Sequence, residues 1–276
     1  MKKRLLFMDL DGTLLNDAKE ISQGNRDALN QALCRGHGVI IATGRPLKSA
    51  MDQAHKLGMD QPGCFLIAYN GAVIYDWAQQ KQIFSRTLPY SAVFRTFDKA
   101  NAMGLHVQTY DQWKVLVEPG CDNASVRRYC SLINMEFSVI GDVRKDLREE
   151  PVKCLVINYQ EKKDLLKIRE WICRNMWEEV DCFFSCDQYL EVVPKGMNKG
   201  EAVKMLCSIM NLPVEASVAV GDAANDLAMI EAAGVGVAMA NGTEEVKRAA
   251  DYITQRDNNH DGIAEVVELF FSEHAE

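Results

Sequence analysis

Two aspartates, one residue apart, stand at the end of an apolar run near the start of the chain, in the stretch LLFMDLDGTLL. Asp9 and Asp11 are followed by Gly12 and Thr13. Carboxylates this close repel each other, and apolar surroundings strengthen the repulsion. An ordinary turn does not require two carboxylates directly after an apolar run. The stretch therefore indicates a functional site that uses the carboxylate pair.

Three other apolar runs also end in polar residues, namely GVIIATGR, CFLIAYNG and ASVAVGDAAND. Ligands of open parallel sheets bind outside the carboxyl ends of the strands. Four strands would therefore bring their terminal polar side chains to one edge of a sheet. These side chains are Asp9, Asp11, Thr43, Asn70, Asp222, Asn225 and Asp226.

This set of side chains suits phosphate chemistry. Several aspartates cannot all ionise together without a cation, and oxygen ligands suit the hard ion Mg²⁺, which shares its coordination shell with phosphate oxygens. The Thr43 hydroxyl, the backbone N–H groups of Gly12 and Gly44, and a lysine are donors that bind phosphate. Together they predict phosphoryl transfer to an aspartate nucleophile, with Mg²⁺ as the cofactor.

The order of the predicted elements explains how these strand ends meet. Short apolar runs alternate with helical patterns over residues 1–90, and the C-terminal part of the chain has the same alternation. Ser22, for example, can cap a helix that Gly36 ends. The pattern predicts an α/β fold, a Rossmann-like parallel sheet with helices on both faces.

The middle of the chain mixes strand-like runs such as KCLVINY with helical stretches such as KKDLLKIREWICRNM, and it is richer in charged residues. We predict that residues 84–189 form an α+β domain inserted into a core made of residues 1–83 and 190–276. Tyr110, Trp113 and His106 of this domain could bind a substrate or could equally be packing residues, since most aromatic side chains lie in cores.

Composition excludes several classes of protein. The chain has 276 residues, 31 lysines and arginines against 39 aspartates and glutamates, and a net charge of −8, which makes general nucleic-acid binding unfavourable. No apolar stretch approaches the length of a membrane span. The nine cysteines form no CxxC pair, so we expect reduced thiols and a cytoplasmic protein. We also expect a small-molecule partner, and a monomer or a weak homo-oligomer.

Four motifs resemble those of the haloacid dehalogenase superfamily of phosphatases. They are DLDGT, the threonine of ATGR, the lysine of NKGEA, and GDAAND, and they occur in the family's order. The stretches YNGA, GMNKG and NDLAMIEAAGVGVAMANG resemble its Cof-type branch of sugar phosphatases. The resemblance implies that the inserted domain is a cap that closes over the site and selects the substrate.

The resemblance also implies a role for each matching residue. Asp9 would attack phosphorus and become an aspartyl-phosphate, while Asp11 would protonate the leaving alcohol and then activate water. Asp222 would bind Mg²⁺ together with Asp9 and the backbone carbonyl of Asp11. The phosphate-binding residues would be Leu10, Thr43, Gly44, Lys199 and Asn225. Gly12 and Asn70 would support the site, and Asp226 would support the metal or its waters.

Simpler interpretations stay open for some of these residues. Lys195 competes with Lys199 for the role of the phosphate-binding lysine. Asn70 could be a turn residue before Gly71, and Asp226 could be a carboxylate favoured at a helix N-terminus. The sequence also favours turn roles for two other asparagines, Asn241 and Asn258.

Three functions fit these observations. A Mg²⁺-dependent phosphatase of small phosphorylated metabolites, sugar phosphates first, fits best. The alternatives are a hexose phosphomutase on the same fold and a non-catalytic phosphate-binding regulatory protein.

Overall fold

A computed structural model describes residues 2–272, which form two compact units. The first, here called the core unit, comprises the chain up to Gly44, the segment Ala50–Phe84 and the chain from Asn198 onward. The second, here called the inserted unit, comprises Arg45–Ser49 and Ser85–Met197.

The described residues contain both strands and helices. The strands are β1 (Leu5–Met8), β2 (Gly38–Ala42), β3 (Cys64–Ala68), β4 (Val73–Asp76), β5 (Lys81–Ser85), β6 (His106–Tyr110), β7 (Val115–Val117), β8 (Phe137–Val139), β9 (Cys154–Ile157), β10 (Val180–Cys186), β11 (Tyr189–Pro194), β12 (Ser217–Gly221), β13 (Val235–Ala238) and β14 (Tyr252–Ile253). The α-helices are α1 (Gln23–Cys34), α2 (Leu47–Leu57), α3 (Tyr90–Ala102), α4 (Ala124–Ile133), α5 (Val143–Asp146), α6 (Lys162–Asn175), α7 (Lys199–Ile209), α8 (Leu227–Ala232), α9 (Glu244–Ala249) and α10 (Gly262–Phe270).

The sheet of the core unit has the strand order β14-β13-β12-β1-β2-β3-β4-β5. The pairs from β14 to β3 are parallel, while β4 runs antiparallel to β3. The predicted parallel α/β sheet is thus confirmed. Because β12, β1, β2 and β3 are neighbours and run in the same direction, their carboxyl ends lie side by side.

The strands at the centre of this sheet are covered on both faces. Every residue of β1 is buried, as expected for a parallel strand between two helical layers. Leu5 and Phe7 belong to a core cluster with Val203 and Leu206 of α7. The predicted cap of α1 is present, since the Ser22 side chain accepts a hydrogen bond from the Asn25 amide.

The inserted unit has its own sheet, in the order β10-β11-β9-β6-β7-β8. Its pairs are antiparallel except for β7 with β8. Helices α3 and α6 pack on this sheet through Phe97 and Ile168. The unit extends to Met197, beyond the predicted end at residue 189, because β11 pairs with both β9 and β10.

A network of polar side chains is buried in the inserted unit. Lys153 and Glu191 form an ion pair of 2.8 Å between Nζ and Oε2. The Tyr110 hydroxyl donates to the Tyr129 hydroxyl, and His106 bonds Gln108 through Nε2. In contrast to Tyr110 and His106, Trp113 is 54% exposed. Whether these three aromatic residues contact a substrate stays a prediction.

Replacing Lys153 with methionine is expected to destabilise the inserted unit by about 3–5 kcal/mol, because the buried Glu191 carboxylate loses its cation. Chemical denaturation of the purified variant measures this loss. The double variant Lys153→Met, Glu191→Leu removes both charges and should regain most of the stability. Equal losses in the single and double variants would show that packing, and not charge, is responsible.

Residues 2–272 include no helix that combines the length and the apolar composition needed to cross a bilayer.

Candidate active site

Asp9 is the last residue that the core sheet holds at the end of β1. Its amide still donates to the Val220 carbonyl of the neighbouring strand β12 at 3.0 Å. The chain then turns sharply, since Leu14 N donates to the Asp9 carbonyl and Leu15 N to the Leu10 carbonyl. The residues joined by these two bonds, Asp9, Leu10, Leu14 and Leu15, are all buried. The apolar run and this tight loop therefore fix the Asp9 side chain at the carboxyl edge of the sheet.

Gly12 allows the loop after Asp9 to approach Asp222 at the end of β12. The backbone of Gly12 has a φ of +84°, and a Cβ atom there would lie 2.6 Å from Asp222 Oδ2. The Thr13 hydroxyl donates to Asp222 Oδ1 at 3.0 Å. The predicted meeting of Asp9 and Asp222 at one edge of the sheet therefore depends on a glycine at position 12.

Lys199, the first residue of α7, lies between two buried carboxylates. Its ammonium group donates to Asp9 Oδ1 and, at 2.6 Å, to Asp226 Oδ1. All three side chains are buried. The competing lysine, Lys195, instead pairs with Asp181 of the inserted unit.

Asp226 holds the loop that follows β12. Its Oδ2 atom accepts hydrogen bonds from the amides of Asp222 and Ala223, at 3.1 and 3.2 Å. The Nδ2 atom of Asn225 lies 3.5 Å from Oδ1, the other carboxylate oxygen of Asp226. Asp226 thus fixes both the Asp222 backbone and the Lys199 ammonium group.

The pKa values reflect burial and the surrounding charges. Burial raises the pKa of the Asp9 carboxyl to about 7; the Lys199 ammonium opposes this rise, and the Asp226 and Asp222 carboxylates add to it. Burial likewise raises the pKa of Asp222. Burial disfavours the charged form of Lys199, but Asp9 and Asp226 outweigh it and raise the pKa of the ammonium group above its usual value.

The donor set of this cluster fits a hard divalent cation. Carboxylate oxygens of Asp9, Asp222 and Asp226 lie within 4.8 Å of one another. These three carboxylates face the single ammonium of Lys199, so negative charge is in excess, and a bound cation would restore Asp9 to its ionised form. Oxygen ligands and excess negative charge suit Mg²⁺.

Thr43, Gly44 and Asn70 follow the neighbouring strands β2 and β3. The Thr43 amide donates to the Ile67 carbonyl, and its own carbonyl accepts from the Asn70 amide at 3.1 Å. Asn70 has a φ of 55°, the left-handed conformation that the turn interpretation requires. A Cβ atom at Gly44 would lie 2.8 Å from Asn70 Oδ1, so Asn70 also packs directly against the backbone of Gly44.

Asp11 lies near enough to Asp222 for its negative charge to help raise the pKa of the Asp222 carboxyl. The Oδ1 atom of Asp11 accepts a hydrogen bond of 2.9 Å from Lys19, and 40% of the Asp11 side chain is exposed. An exposed carboxyl group next to the cluster can exchange protons with solvent and with a bound molecule. The position therefore fits an acid–base role for the Asp11 side chain.

Two asparagines hold the loop that carries Asp9 and Asp11, a role that the turn interpretation from the sequence did not include. Asn241 donates from Nδ2 to the Gly12 carbonyl at 2.8 Å, and its Oδ1 atom accepts from the Asn258 amide. Asn258 in turn donates to the Leu15 carbonyl at 3.0 Å. Both side chains thus bridge distant segments of the chain. The separations of 229 and 243 residues explain why local sequence patterns did not reveal these bonds.

Replacing Asn241 with alanine is expected to lower kcat roughly tenfold, because the loop carrying Asp9 and Asp11 loses its anchor at Gly12. The free energy of unfolding should fall by only about 1 kcal/mol, the usual contribution of one hydrogen bond. Steady-state kinetics and denaturation measure the two effects. The matched control is Asn101→Ala, which removes an exposed bond to Glu118 in the inserted unit and should retain kcat. An unchanged kcat in Asn241→Ala would contradict the anchoring role.

A parallel sheet that gathers three carboxylates and a buried lysine at its carboxyl edge suits phosphoryl-transfer chemistry. The chain belongs to the haloacid dehalogenase-like hydrolases, since the model of that family matches residues 6–267. The family resemblance predicted from the four motifs is therefore confirmed.

Individual relatives agree with this assignment. YcsE of Bacillus subtilis is 30% identical over 264 residues, covering 96% of this chain and 94% of that protein. YitU of the same species is 29% identical over 283 residues, covering 98% of each. Both are named 5-amino-6-(5-phospho-D-ribitylamino)uracil phosphatases. The crystal structure of a haloacid dehalogenase-like hydrolase from Bacteroides thetaiotaomicron matches with a TM-score of 0.87 and 33% identity, covering 97% of this chain and 99% of that one. The protein is a phosphatase of this family.

Proposed function

We propose that this phosphatase hydrolyses monoesters of small phosphorylated metabolites, sugar or polyol phosphates foremost, through a phosphorylated Asp9. The observation that carries the proposal is the position of Asp9: buried at the end of β1, bonded to Lys199, and within 4.8 Å of two further carboxylates. A carboxylate held in this way can attack phosphorus, while cationic groups compensate the charge of the transferred group.

The first step transfers the phosphoryl group to the enzyme. A carboxylate oxygen of Asp9 forms a bond to phosphorus as the bond from phosphorus to the ester oxygen breaks. Asp11 gives its proton to that leaving oxygen and releases an alcohol. Thr43 and Lys199 bind the phosphoryl oxygens, and we assign the same task to Asn225 and to the backbone of Leu10 and Gly44.

The second step regenerates Asp9. Asp11, now a carboxylate, accepts a proton from a water molecule as that water attacks phosphorus. The bond from phosphorus to Asp9 breaks, and inorganic phosphate leaves. Proton balance is maintained, since the proton that Asp11 lost to the alcohol returns from water.

Asp9 and Asp222, together with the backbone carbonyl of Asp11, would hold Mg²⁺. When bound, the ion supplies positive charge that ionises Asp9 and neutralises the phosphate oxygens. Asp226 bonds two backbone amides and Lys199, so we assign it the support of Lys199 and of the Asp222 loop.

A phosphorylated polyol chain is the substrate class to test first. YcsE and YitU are named for a substrate that carries phosphate on a ribityl group. We assign the choice among such substrates to the inserted unit, Arg45–Ser49 and Ser85–Met197, which has its own sheet and core.

Phosphate release from a panel of metabolites tests the proposed function. The panel should include sugar phosphates, 5-phosphoribitylamino compounds and p-nitrophenyl phosphate, each assayed with Mg²⁺. Release of inorganic phosphate is expected. Isomerised sugar phosphate without free phosphate would instead establish a phosphomutase, and the absence of either product across the panel would favour a phosphate-binding regulatory protein.

Removal of divalent cations with EDTA is expected to stop turnover, and added Mg²⁺ should restore it. Binding should also be visible without substrate. Mg²⁺ at about 100 times its dissociation constant stabilises the folded state by roughly 2.7 kcal/mol, which raises Tm by several degrees. Asp222→Asn should lose most of this Tm increase. Hydrolysis that persists in EDTA would contradict the predicted metal dependence.

A further inference from the structure

The inserted unit contains a pair of thiols outside the candidate active site. The Sγ atoms of Cys173 on α6 and Cys182 on β10 lie 3.5 Å apart, within hydrogen-bonding distance for two thiols. Cys173 is exposed and Cys182 is partly exposed, so small molecules in solution can reach the pair. Neither residue takes part in the proposed phosphatase chemistry.

The local fold holds the two sulfur atoms together. Helix α6 ends one residue before Met176, whose carbonyl accepts from the amides of Glu179 and Val180. This tight connection leads directly into β10, and Met176 is 1% exposed. Arg169 of α6 also lies over the Phe184 ring of β10 at 5.9 Å. The contact between the thiols therefore follows from packing on both sides of the connection, and does not depend on a mobile loop.

We propose that Cys173 and Cys182 form a reversible modification site, at which a low-molecular-weight disulfide oxidises both thiols to an intramolecular disulfide. A disulfide has an S–S distance near 2.05 Å, so the two sulfur atoms need to approach by about 1.5 Å. The inference is independent of the proposed function, because it uses only the geometry of the inserted unit.

The exchange proceeds in two balanced steps. The Cys173 thiolate attacks one sulfur of the disulfide R–S–S–R, forms a mixed disulfide with it and releases one R–S⁻. The Cys182 thiolate then attacks the Cys173 sulfur and releases the second R–S⁻. Two protein thiols are thus oxidised, one small disulfide is reduced to two thiols, and the two protons pass to water and then to the released thiolates.

The order of attack follows from the surroundings of each thiol. Burial raises the pKa of Cys182 to about 12, and the neighbouring Cys173 sulfur adds to this. Cys173 is exposed and is the first nucleophile. Once Cys173 carries the mixed disulfide, its hydrogen bond and negative charge no longer oppose ionisation of Cys182, while Arg169 continues to lower the pKa of Cys182.

Incubation of the reduced full-length enzyme with oxidised glutathione tests the proposal. Non-reducing digestion and mass spectrometry should find a 173–182 cross-linked peptide, with loss of two hydrogens (about 2 Da) and no retained glutathione. The cross-link should raise Tm by a few degrees, because it restricts the unfolded chain. Dithiothreitol should reverse both changes.

Three cysteine variants decide the outcome. Cys182→Ser should stop at the mixed disulfide and retain glutathione on residue 173, while Cys173→Ser should form no cross-link. Cys34→Ser removes an exposed thiol of the core unit and should leave the cross-link intact. Stable glutathione on Cys173 of the wild-type enzyme, or a cross-link that joins Cys186 instead, would overturn the proposal.

Discussion

Asp9→Asn is expected to abolish phosphatase turnover, with a loss of roughly 10⁴-fold or more, while the fold stays intact. The amide cannot act as the nucleophile, so no phosphorylated enzyme forms. Folding should tolerate the change because asparagine has nearly the same shape, and Asp226 still neutralises Lys199. Initial-rate assays and circular dichroism measure the two effects.

The matched control for this variant is Asp27→Asn. Asp27 accepts a hydrogen bond from Gln23 on the exposed side of α1, away from the carboxylate cluster. Its activity should stay within twofold of the wild type. Trapping with a ³²P-labelled substrate should label the wild-type protein and not Asp9→Asn. Wild-type turnover in Asp9→Asn would remove Asp9 from its proposed role.

Lys199→Met is the second change with a large expected effect, and it should act on both stability and activity. Without the ammonium group, the buried Asp9 and Asp226 carboxylates face each other uncompensated. Removing one partner of a buried ion pair costs about 3–5 kcal/mol. Denaturation in EDTA measures this cost, and we expect turnover to fall at least 10²-fold since the phosphoryl oxygens lose a cation.

The stability of Lys199→Met should depend on pH. A carboxyl group whose pKa is raised above its ordinary 3.8, as that of Asp9 is, binds protons more tightly in the folded state than in the unfolded state. The variant should therefore lose stability as the pH rises from about 4 to above 7. A flat stability profile over this range would show that the carboxylates do not interact as described.

Two further variants separate charge from packing at this position. Lys204→Met, on the exposed side of the same helix, removes only a surface pair with Glu201 and should change stability by less than about 1 kcal/mol. Lys199→Met combined with Asp226→Asn removes one of the two uncompensated charges and should regain part of the stability, but not the activity.

Neighbouring strand ends were the most informative part of the sequence. The apolar runs that end at Asp9, Thr43 and Asp222 are parallel strands of one sheet, and parallel strands have their carboxyl ends at the same edge. This relation can be predicted from the apolar pattern of short segments and from the polar residues that follow them, which are local properties. The α/β class and the meeting of Asp9 with Asp222 could therefore be predicted before any coordinates were known.

The end of the inserted unit was harder to predict, because the sequence pattern of a strand is the same whichever sheet the strand joins. The run YLEVVP begins at the predicted boundary, residue 189, and forms β11, which pairs with β9 and β10 of the inserted unit. A sequence pattern specifies that a segment is a strand, whereas the partner strand depends on packing with distant segments.

The sequence by itself determined the α/β class, the carboxylate pair at the end of β1 and the family to which the chain belongs. Only the tertiary structure decided that Lys199 rather than Lys195 lies between Asp9 and Asp226, and that Asn241 anchors the Gly12 carbonyl. The physical reason is range. Backbone periodicity and strand direction act over a few residues, whereas hydrogen bonds between groups 190 and 229 residues apart exist only once the core has packed.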